Sequence, residues 1–162
     1  GLIDSLPRMA VVQAAGANPL YRAWSTGTDV TPISAETIAS AIKIGSPVSW
    51  RKSMRGLRAL DGVVTEVDDN QIMDAKAWLD ASGIGAEPAS CATLAGLKRL
   101  IDEGVIARGS TVAGVLTGHL LKDPDVVVGY HTGSLEGIEI HRANAPIQAP
   151  ADLQAIRDIL RG

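Results

Sequence analysis

The chain alternates short, continuously apolar runs with longer segments in which apolar residues recur at helical spacing. Met9–Ala15 (MAVVQAA) is apolar at almost every position, which predicts a strand buried on both faces, as in a parallel sheet. Gly62–Val67 is a shorter strand candidate, and Thr111–Leu116 (TVAGVL) is a second one of the buried kind. Weaker strand candidates lie at 126–128 and 138–140.

Helical periodicity separates these runs, and residues that cap or start helices mark several of the boundaries. Helices are predicted over Leu20–Trp24, from Ser34 to Gly45, over Trp50–Leu60 and Asn70–Ser82, from Pro88 to Gly104, and from Asp152 to Leu160. Asn18 is the candidate N-cap of the first helix, and either Asp68 or Asp69 can cap the fourth. Ala89–Ala95 is almost entirely small, which allows close backbone packing or close approach of a ligand.

Alternation of strands and helices predicts an α/β fold with a mainly parallel sheet flanked by helices. The length of 162 residues fits a single α/β domain or domain fragment over 1–162. Ligands in such sheets bind beyond the carboxyl ends of the strands. That rule selects Gln13–Asn18, Glu87–Ser90 at a helix start, and Thr117–His119.

Composition and charge exclude several classes of function. The net charge is −3 and no basic block occurs, so nucleic acid is not an expected partner. No apolar run reaches the roughly 20 residues of a membrane span, and no signal peptide is visible. A single cysteine, Cys91, excludes an intramolecular disulfide and favours the cytoplasm. The chain begins at Gly1 without a methionine, so we expect a processed chain or a fragment.

The polar residues in these three segments each have a structural and a functional interpretation. The Thr117 hydroxyl can pair with a heteroaromatic nitrogen, although capping of the following turn is the simpler interpretation. Glu87 and Ser90 fit helix capping. His119 is a proton carrier or a structural hydrogen-bonding residue, and Cys91 is expected to be a buried, inert thiol. No zinc-type histidine spacing and no phosphate-binding glycine loop occurs, so no metal site is predicted.

Five segments together resemble the threonine synthases, which are pyridoxal-phosphate enzymes of fold type II. They are PRMAVVQAAGANPL (7–20), TIASAIKIGSPVSWRK (37–52), DGVVTEVDDNQIMDAKAWL (61–79), EPASCATLAGLKRL (87–100) and VLTGHLLKDPD (115–125). The resemblance runs in order along nearly the whole chain and corresponds to the carboxyl-terminal half of the family, in the large domain. The EPAS segment alone would also fit the serine/threonine dehydratases.

The resemblance implies pyridoxal phosphate as cofactor and gives several residues a place near it. The threonine of the VLTGH segment, here Thr117, meets the pyridine nitrogen in that family. The other residues implied as pocket walls are Gly118, Ala15, Gly16, Glu87 and Ser90. The family's Schiff-base lysine belongs to an upstream segment, and no lysine here, Lys122 included, lies in that motif. No catalytic residue is therefore predicted in this chain.

The function implied is that of the carboxyl-terminal part of a threonine synthase, a lyase of threonine biosynthesis. Such an enzyme converts O-phospho-L-homoserine and water to L-threonine and phosphate. The expected partners are an amino-terminal half, as the same gene product or a separate chain, and a second copy in a homodimer. The chain alone is expected to be inactive. Two alternatives stay open: part of a serine/threonine dehydratase-like enzyme, or a non-catalytic α/β binding or partner module.

Overall fold

A parallel pair of strands and the helices around it form the centre of the fold in the computed structural model, which describes residues 3–161. The elements in chain order are β1 (Ala10–Ala14), α1 (Pro19–Thr26), a 3-10 helix (Ser40–Ile42), α2 (Trp50–Ala59), β2 (Val63–Val67), α3 (Asp69–Ala81), α4 (Pro88–Asp102), α5 (Pro124–Thr132) and α6 (Leu153–Arg161). None of these helices is long and apolar enough to cross a membrane.

The two strands confirm the predicted α/β class with a parallel sheet. β1 pairs with β2 in parallel from Ala10 opposite Val63 to Ala14 opposite Val67. The N–H of Ala15 extends the pairing by donating to the carbonyl of Val67 at 2.8 Å. Because the strands are parallel, their carboxyl ends lie at the same edge of the sheet.

Small residues let α4 pack closely on the sheet, as the run of small side chains predicts. A Cβ added to Gly96 of α4 would lie 2.3 Å from a methyl carbon of Val12 in β1. The core between β1, β2, α3 and α4 contains mainly alanines with a few larger side chains, among them Val67, Ile72 and Cys91. Burial of many small groups stabilises this core through close contact rather than through large aromatic side chains.

Side-chain caps fix the starts of α1 and α3, one as predicted and one not. Asp68 accepts from the backbone of Gln71, and the Gln71 side chain accepts from the Asp68 backbone, so Asp68 rather than Asp69 is the N-cap of α3. Asn18 is the N-cap residue of α1 and Pro19 its first residue, as predicted, but the Asn18 side chain makes no capping hydrogen bond. Gln13 at the end of β1 instead accepts from two N–H groups of the first turn of α1, at 2.9 and 3.0 Å, while Asn18 donates to Glu66.

The helix predicted from Ser34 to Gly45 is wrong, since only the short 3-10 helix forms there. Backbone donors of this segment bind partners elsewhere in the fold rather than the preceding turn. The N–H of Glu36 donates to the carbonyl of Gly16 at 2.8 Å, and the N–H of Ile38 donates to the Asp69 carboxylate at 3.1 Å. Tertiary hydrogen bonds therefore override the helical spacing of its apolar residues.

The buried strand predicted at Thr111–Leu116 is also absent. The segment is irregular and exposed, and Val115 is 69% exposed. Its fixed point on the fold is the hydroxyl of Thr93 in α4, which donates to the carbonyl of Val115 at 3.2 Å. Among residues 3–161 no strand lies beside it, so it has no ladder to join.

The weak strands predicted at 126–128 and 138–140 are wrong as well. The first lies inside α5, which Pro124 starts and Gly133 ends in a left-handed conformation (φ 76°). Tyr130 of α5 is buried against α3, and this burial outweighs the β-preference of the valines. Residues 138–140 are irregular.

Candidate functional site

The predicted site residues at the start of α4 meet the turn that follows residues 111–116. Glu87 immediately precedes Pro88, the first residue of α4, and its backbone N–H donates to the carbonyl of Gly118 at 3.1 Å. The helix start and the turn are thus joined through the main chain. We call Glu87, Ser90, Thr117 and Gly118 the α4 site.

Ser90 is the centre of the hydrogen bonds in the α4 site. Its side chain is buried, and its Oγ accepts from the backbone N–H of Thr117 at 3.0 Å and from that of Gly118 at 2.9 Å. The same oxygen lies 3.2 Å from Oγ1 of Thr117 and 3.5 Å from a carboxylate oxygen of Glu87. One buried hydroxyl therefore holds both the backbone of the turn and the Thr117 side chain.

Thr117 is an exposed residue, and its backbone N–H is held by Ser90. A neutral hydroxyl that can both donate and accept suits a heteroaromatic nitrogen. The chemistry of this donor therefore fits the ring-nitrogen end of a pyridine-type group. That Thr117 binds such a nitrogen stays a prediction.

The carboxylate of Glu87 is buried directly behind the turn. Its side chain is 2% exposed, and its Oε2 lies 3.4 Å from Nζ of Lys122, whose side chain is 59% exposed. A Cβ added to Gly118 would lie 1.7 Å from Oε1 of Glu87. Gly118 is therefore a glycine because the carboxylate occupies the space that a side chain would need.

Lys122 was not among the predicted site residues. It follows the turn by four residues and closes the outer side of the buried carboxylate. Its sequence context gave no signal for this, because a buried glutamate at a helix start could not be predicted from spacing. The exposed ammonium lowers the cost of burying the Glu87 charge.

Ala15 and Gly16, the other two predicted pocket residues, lie in the turn after β1. Their hydrogen bonds are structural: the N–H of Ala15 donates to Val67, and the carbonyl of Gly16 accepts from Glu36 at 2.8 Å. A Cβ on Gly16 would lie 1.9 Å from the carbonyl oxygen of Glu36. The structure thus brings four of the six predicted residues into one hydrogen-bonded group and gives these two contacts outside it.

His119 and Cys91 have structural surroundings. Nδ1 of His119 accepts from the backbone N–H of Leu121 at 3.1 Å, which is the structural hydrogen bond considered for it. Cys91 is fully buried on α4, and this burial raises the pKa of its thiol to about 12. The expected burial of this thiol is confirmed, and its inertness stays a prediction that the raised pKa supports, because the nucleophilic form of cysteine is the thiolate.

A separate cavity of about 430 Å³ lies between α3 and α4, on the side of Trp78 and Leu94. Its lining mixes apolar and charged side chains and includes the ion pair of Lys98 with Asp102, at 2.8 Å. None of the four residues of the α4 site lines it.

Comparison with known proteins points to one family. Residues 2–118 match the family model described as "Pyridoxal-phosphate dependent enzyme". A threonine synthase from Methanosarcina acetivorans is 39% identical over 165 residues, which cover 100% of this chain and 38% of that protein. A threonine synthase from Mycobacterium bovis is 45% identical over 130 residues, which cover 79% of this chain and 34% of that protein.

Other matches agree with these. The protein named "Threonine synthase 2, chloroplastic" from Arabidopsis thaliana is 35% identical over 99% of this chain and 32% of its own length. The chain therefore spans between 32% and 38% of the length of these relatives. Among solved structures, a threonine deaminase from "T.th." matches with a TM-score of 0.50 and 18% identity, over 68% of this chain and 39% of that one. At this identity the match bears on the fold alone.

Proposed function

Because the chain belongs to the family of pyridoxal-phosphate dependent enzymes, we propose that it is the carboxyl-terminal part of a threonine synthase. Pyridoxal phosphate is the cofactor that this family implies. The intact enzyme would convert O-phospho-L-homoserine and water to L-threonine and phosphate. The proposal is supported by relatives of that name whose similarity covers up to 100% of this chain.

The observation that supports this site is an exposed residue with a hydroxyl, Thr117, on a turn whose backbone Ser90 holds. When bound, pyridoxal phosphate supplies an electron-withdrawing ring that stabilises negative charge developing on the substrate. Thr117 would bind and orient the ring nitrogen. A neutral hydroxyl cannot stabilise a positive charge on that nitrogen as a carboxylate would, so Thr117 would moderate the electron-withdrawing strength of the ring.

The other residues of the α4 site would act by holding this turn in place. Ser90 and the main chain of Glu87 bind its backbone, and Gly118 leaves room for the Glu87 side chain. Ala15 and Gly16 remain proposed pocket walls through their place after β1, at the carboxyl end of a parallel strand.

The rest of the machinery would come from an amino-terminal partner region. We propose that it supplies the Schiff-base lysine and the loop that binds the cofactor phosphate, and that this chain alone is inactive. The partial coverage of the relatives supports this, as does the exposure of the strand-like segment 111–116. The single buried cysteine supports a reducing, cytoplasmic compartment.

A second candidate is a serine/threonine dehydratase-like enzyme, because the EPAS segment at Glu87–Ser90 would also fit that class. The two functions differ in substrate and product. The test is to supply the full-length protein with O-phospho-L-homoserine and, separately, with L-threonine or L-serine. Phosphate release with formation of L-threonine supports the proposal, whereas release of ammonia and a 2-oxo acid supports the dehydratase.

The role of Thr117 is tested in the same full-length protein. Thr117→Val keeps the shape of the side chain and removes the hydroxyl, and we expect it to weaken binding of pyridoxal phosphate, as loss of one hydrogen bond does. Thr117→Ser keeps the hydroxyl and is the matched control. Equal cofactor affinity for the wild type and Thr117→Val would contradict the assignment.

The inactivity of the isolated chain is tested by native mass spectrometry with pyridoxal phosphate added. The expected result is a chain of 16.8 kDa, as a single copy or as a homodimer, without cofactor. A cofactor-bearing species of this mass that turns over substrate would contradict the need for an amino-terminal partner. A species of twice the mass would support the proposed homodimer.

A further inference from the structure

The last helix, α6, differs from the other α-helices of the fold in what it buries. Each of α1 to α5 has at least two residues buried in residues 3–161, whereas none of the nine residues of α6 is buried. Residues 143–152, which lead into it, are exposed throughout. The described part of the chain therefore leaves α6 uncovered.

The sequence of α6 is that of a helix with one apolar face. Its large apolar residues are spaced by three and four positions, which places them on the same side of a helix. They are Leu153, Ile156, Ile159 and Leu160, and their exposed fractions lie between 37% and 81%. On the opposite side, the Gln154 side chain donates to the Asp158 carboxylate at 2.8 Å. A contiguous face of exposed aliphatic side chains is typical of an interaction surface.

The size of this face distinguishes between its possible occupants. Nine helical residues are about 14 Å long, and a helix with its side chains is about 10 Å wide. A stable complex of separate proteins buries roughly 800 Å² on each partner, which is several times the footprint of one such face. A second copy held by α6 alone would therefore dissociate readily. A partner in the same polypeptide needs a much smaller interface, because its effective concentration is about millimolar.

The partial match to the relatives leaves a large part of an intact protein available to cover α6. The threonine synthase from Methanosarcina acetivorans matches 100% of this chain, so α6 belongs to the shared sequence. The match covers 38% of that relative, and more than half of its length lies outside. A region of that size can form an apolar groove of its own.

We propose that the apolar face of α6 docks in a groove of the amino-terminal region of the same protein. This inference rests on the proposed function, because that function requires an amino-terminal region. Docking removes the four aliphatic side chains from water, and this favours the assembly of the two parts. A helix whose apolar face lies in a groove is a common way to join two protein surfaces.

The wild-type full-length protein provides the first test, with hydroxyl-radical labelling of Ile156 and Leu160 as readout. Side chains of this type are labelled strongly when exposed and weakly when covered. We expect weak labelling at every protein concentration, because a contact within one polypeptide does not depend on concentration. Strong labelling would overturn the proposal, since the face would then be uncovered. Labelling that rises as the protein is diluted would also overturn it, since a second copy would then be the occupant.

Variants of the full-length protein identify the region that covers α6, with hydrogen exchange of backbone amides as readout. Leu160→Gln and Ile156→Gln make the apolar face polar, and glutamine keeps a good helix propensity. We expect both variants to lose exchange protection in peptides upstream of residue 1. Asp158→Gln, on the opposite side of α6, is the matched control and should leave that protection unchanged.

The outcomes of the exchange experiment separate this proposal from the proposed function. Loss of upstream protection in both variants, at an unchanged molecular mass in sedimentation, supports the docking of α6. Protection equal to that of the wild type, or a loss confined to residues 3–161, would overturn it. A fall to half the mass without an upstream loss would assign the face to a second copy and overturn it as well. If a variant does not fold, the labelling of the wild type decides.

Neither labelling nor exchange requires turnover. A protein that shows the expected labelling and exchange but lacks threonine synthase activity would therefore refute the proposed function alone. An active threonine synthase in which α6 is strongly labelled would refute the docking of α6 alone.

Discussion

The substitution Gly118→Ala tests whether the buried carboxylate of Glu87 dictates the glycine of the turn. The new methyl carbon would lie 1.7 Å from Oε1, 2.0 Å from Cδ and 2.6 Å from Cγ of Glu87. The carboxylate would have to move by about 2 Å to restore the roughly 3.5–4.0 Å separation of packed heavy atoms. Because the Glu87 side chain is buried and faces Lys122, that movement disrupts its packing and its ion pair. Overpacking of this kind costs about 1–3 kcal/mol.

The backbone of Gly118 adds no strain of its own, since it does not lie in the left-handed region. The contact with Glu87 is therefore the cause to isolate. In urea unfolding of the full-length protein without cofactor, we expect Gly118→Ala to lower the free energy of unfolding by about 1–3 kcal/mol. Glu87→Ala removes the clashing atoms. The double variant Gly118→Ala/Glu87→Ala should therefore lose about 1–2 kcal/mol less free energy of unfolding than the sum of the two single variants.

Gly56→Ala is the matched control for this experiment. Gly56 lies inside α2, and a Cβ there meets nothing within 4 Å. An alanine at such a helical position should stabilise the protein by roughly 0.5–1 kcal/mol. Two results would refute the reasoning: a free energy of unfolding for Gly118→Ala equal to that of the wild type, or strictly additive effects of Gly118→Ala and Glu87→Ala.

Three further predictions concern the support of the site. Gly96→Ala should lower the urea midpoint because its methyl group would lie 2.3 Å from a methyl carbon of Val12, and Val12→Ala should restore most of the loss. Gln13→Ala removes the acceptor of two N–H groups of α1 and should cost about 1 kcal/mol in the same assay; an unchanged midpoint would argue against this cap. The pKa of Cys91 is raised by burial from 9.0 to about 12, so its contribution to stability is complete below pH 9 and is lost as pH rises toward 12. A thiol reagent at pH 8 should label Cys91 only in denaturant, and rapid labelling of the native protein would contradict its burial.

Local signals predicted the elements that support the α4 site. Pro88 fixed the start of α4, and helical periodicity placed α2 and α3 within a residue or two of their observed ends. Glu87 and Ser90 are three residues apart and lie near one another at the start of α4. Their meeting with Thr117 came from the resemblance, because no local pattern relates residues 27 positions apart.

Predictions failed where tertiary partners competed with the local pattern. Helical spacing in residues 34–45 was overridden because Asp69 and Gly16 bind the backbone of that segment. Asn18 occupies the expected N-cap position, but the side chain that accepts from the first turn of α1 is that of Gln13, five residues earlier in sequence. In both cases the hydrogen-bond partner lies outside the few neighbouring residues from which helical spacing or capping is predicted.

The failure at Thr111–Leu116 has a different cause. Its composition is that of a strand buried on both faces, yet Val112 and Val115 are exposed, and a hydroxyl of α4 holds the segment by a carbonyl. An apolar, β-prone segment with unpaired backbone groups is a template on which another strand can pair. The apolar pattern is typical of a strand with neighbours on both faces, and residues 3–161 do not supply those neighbours. A strand from the proposed amino-terminal region could pair with this segment and extend the sheet. Because the segment leads directly into Thr117, the same pairing would fix the position of the α4 site.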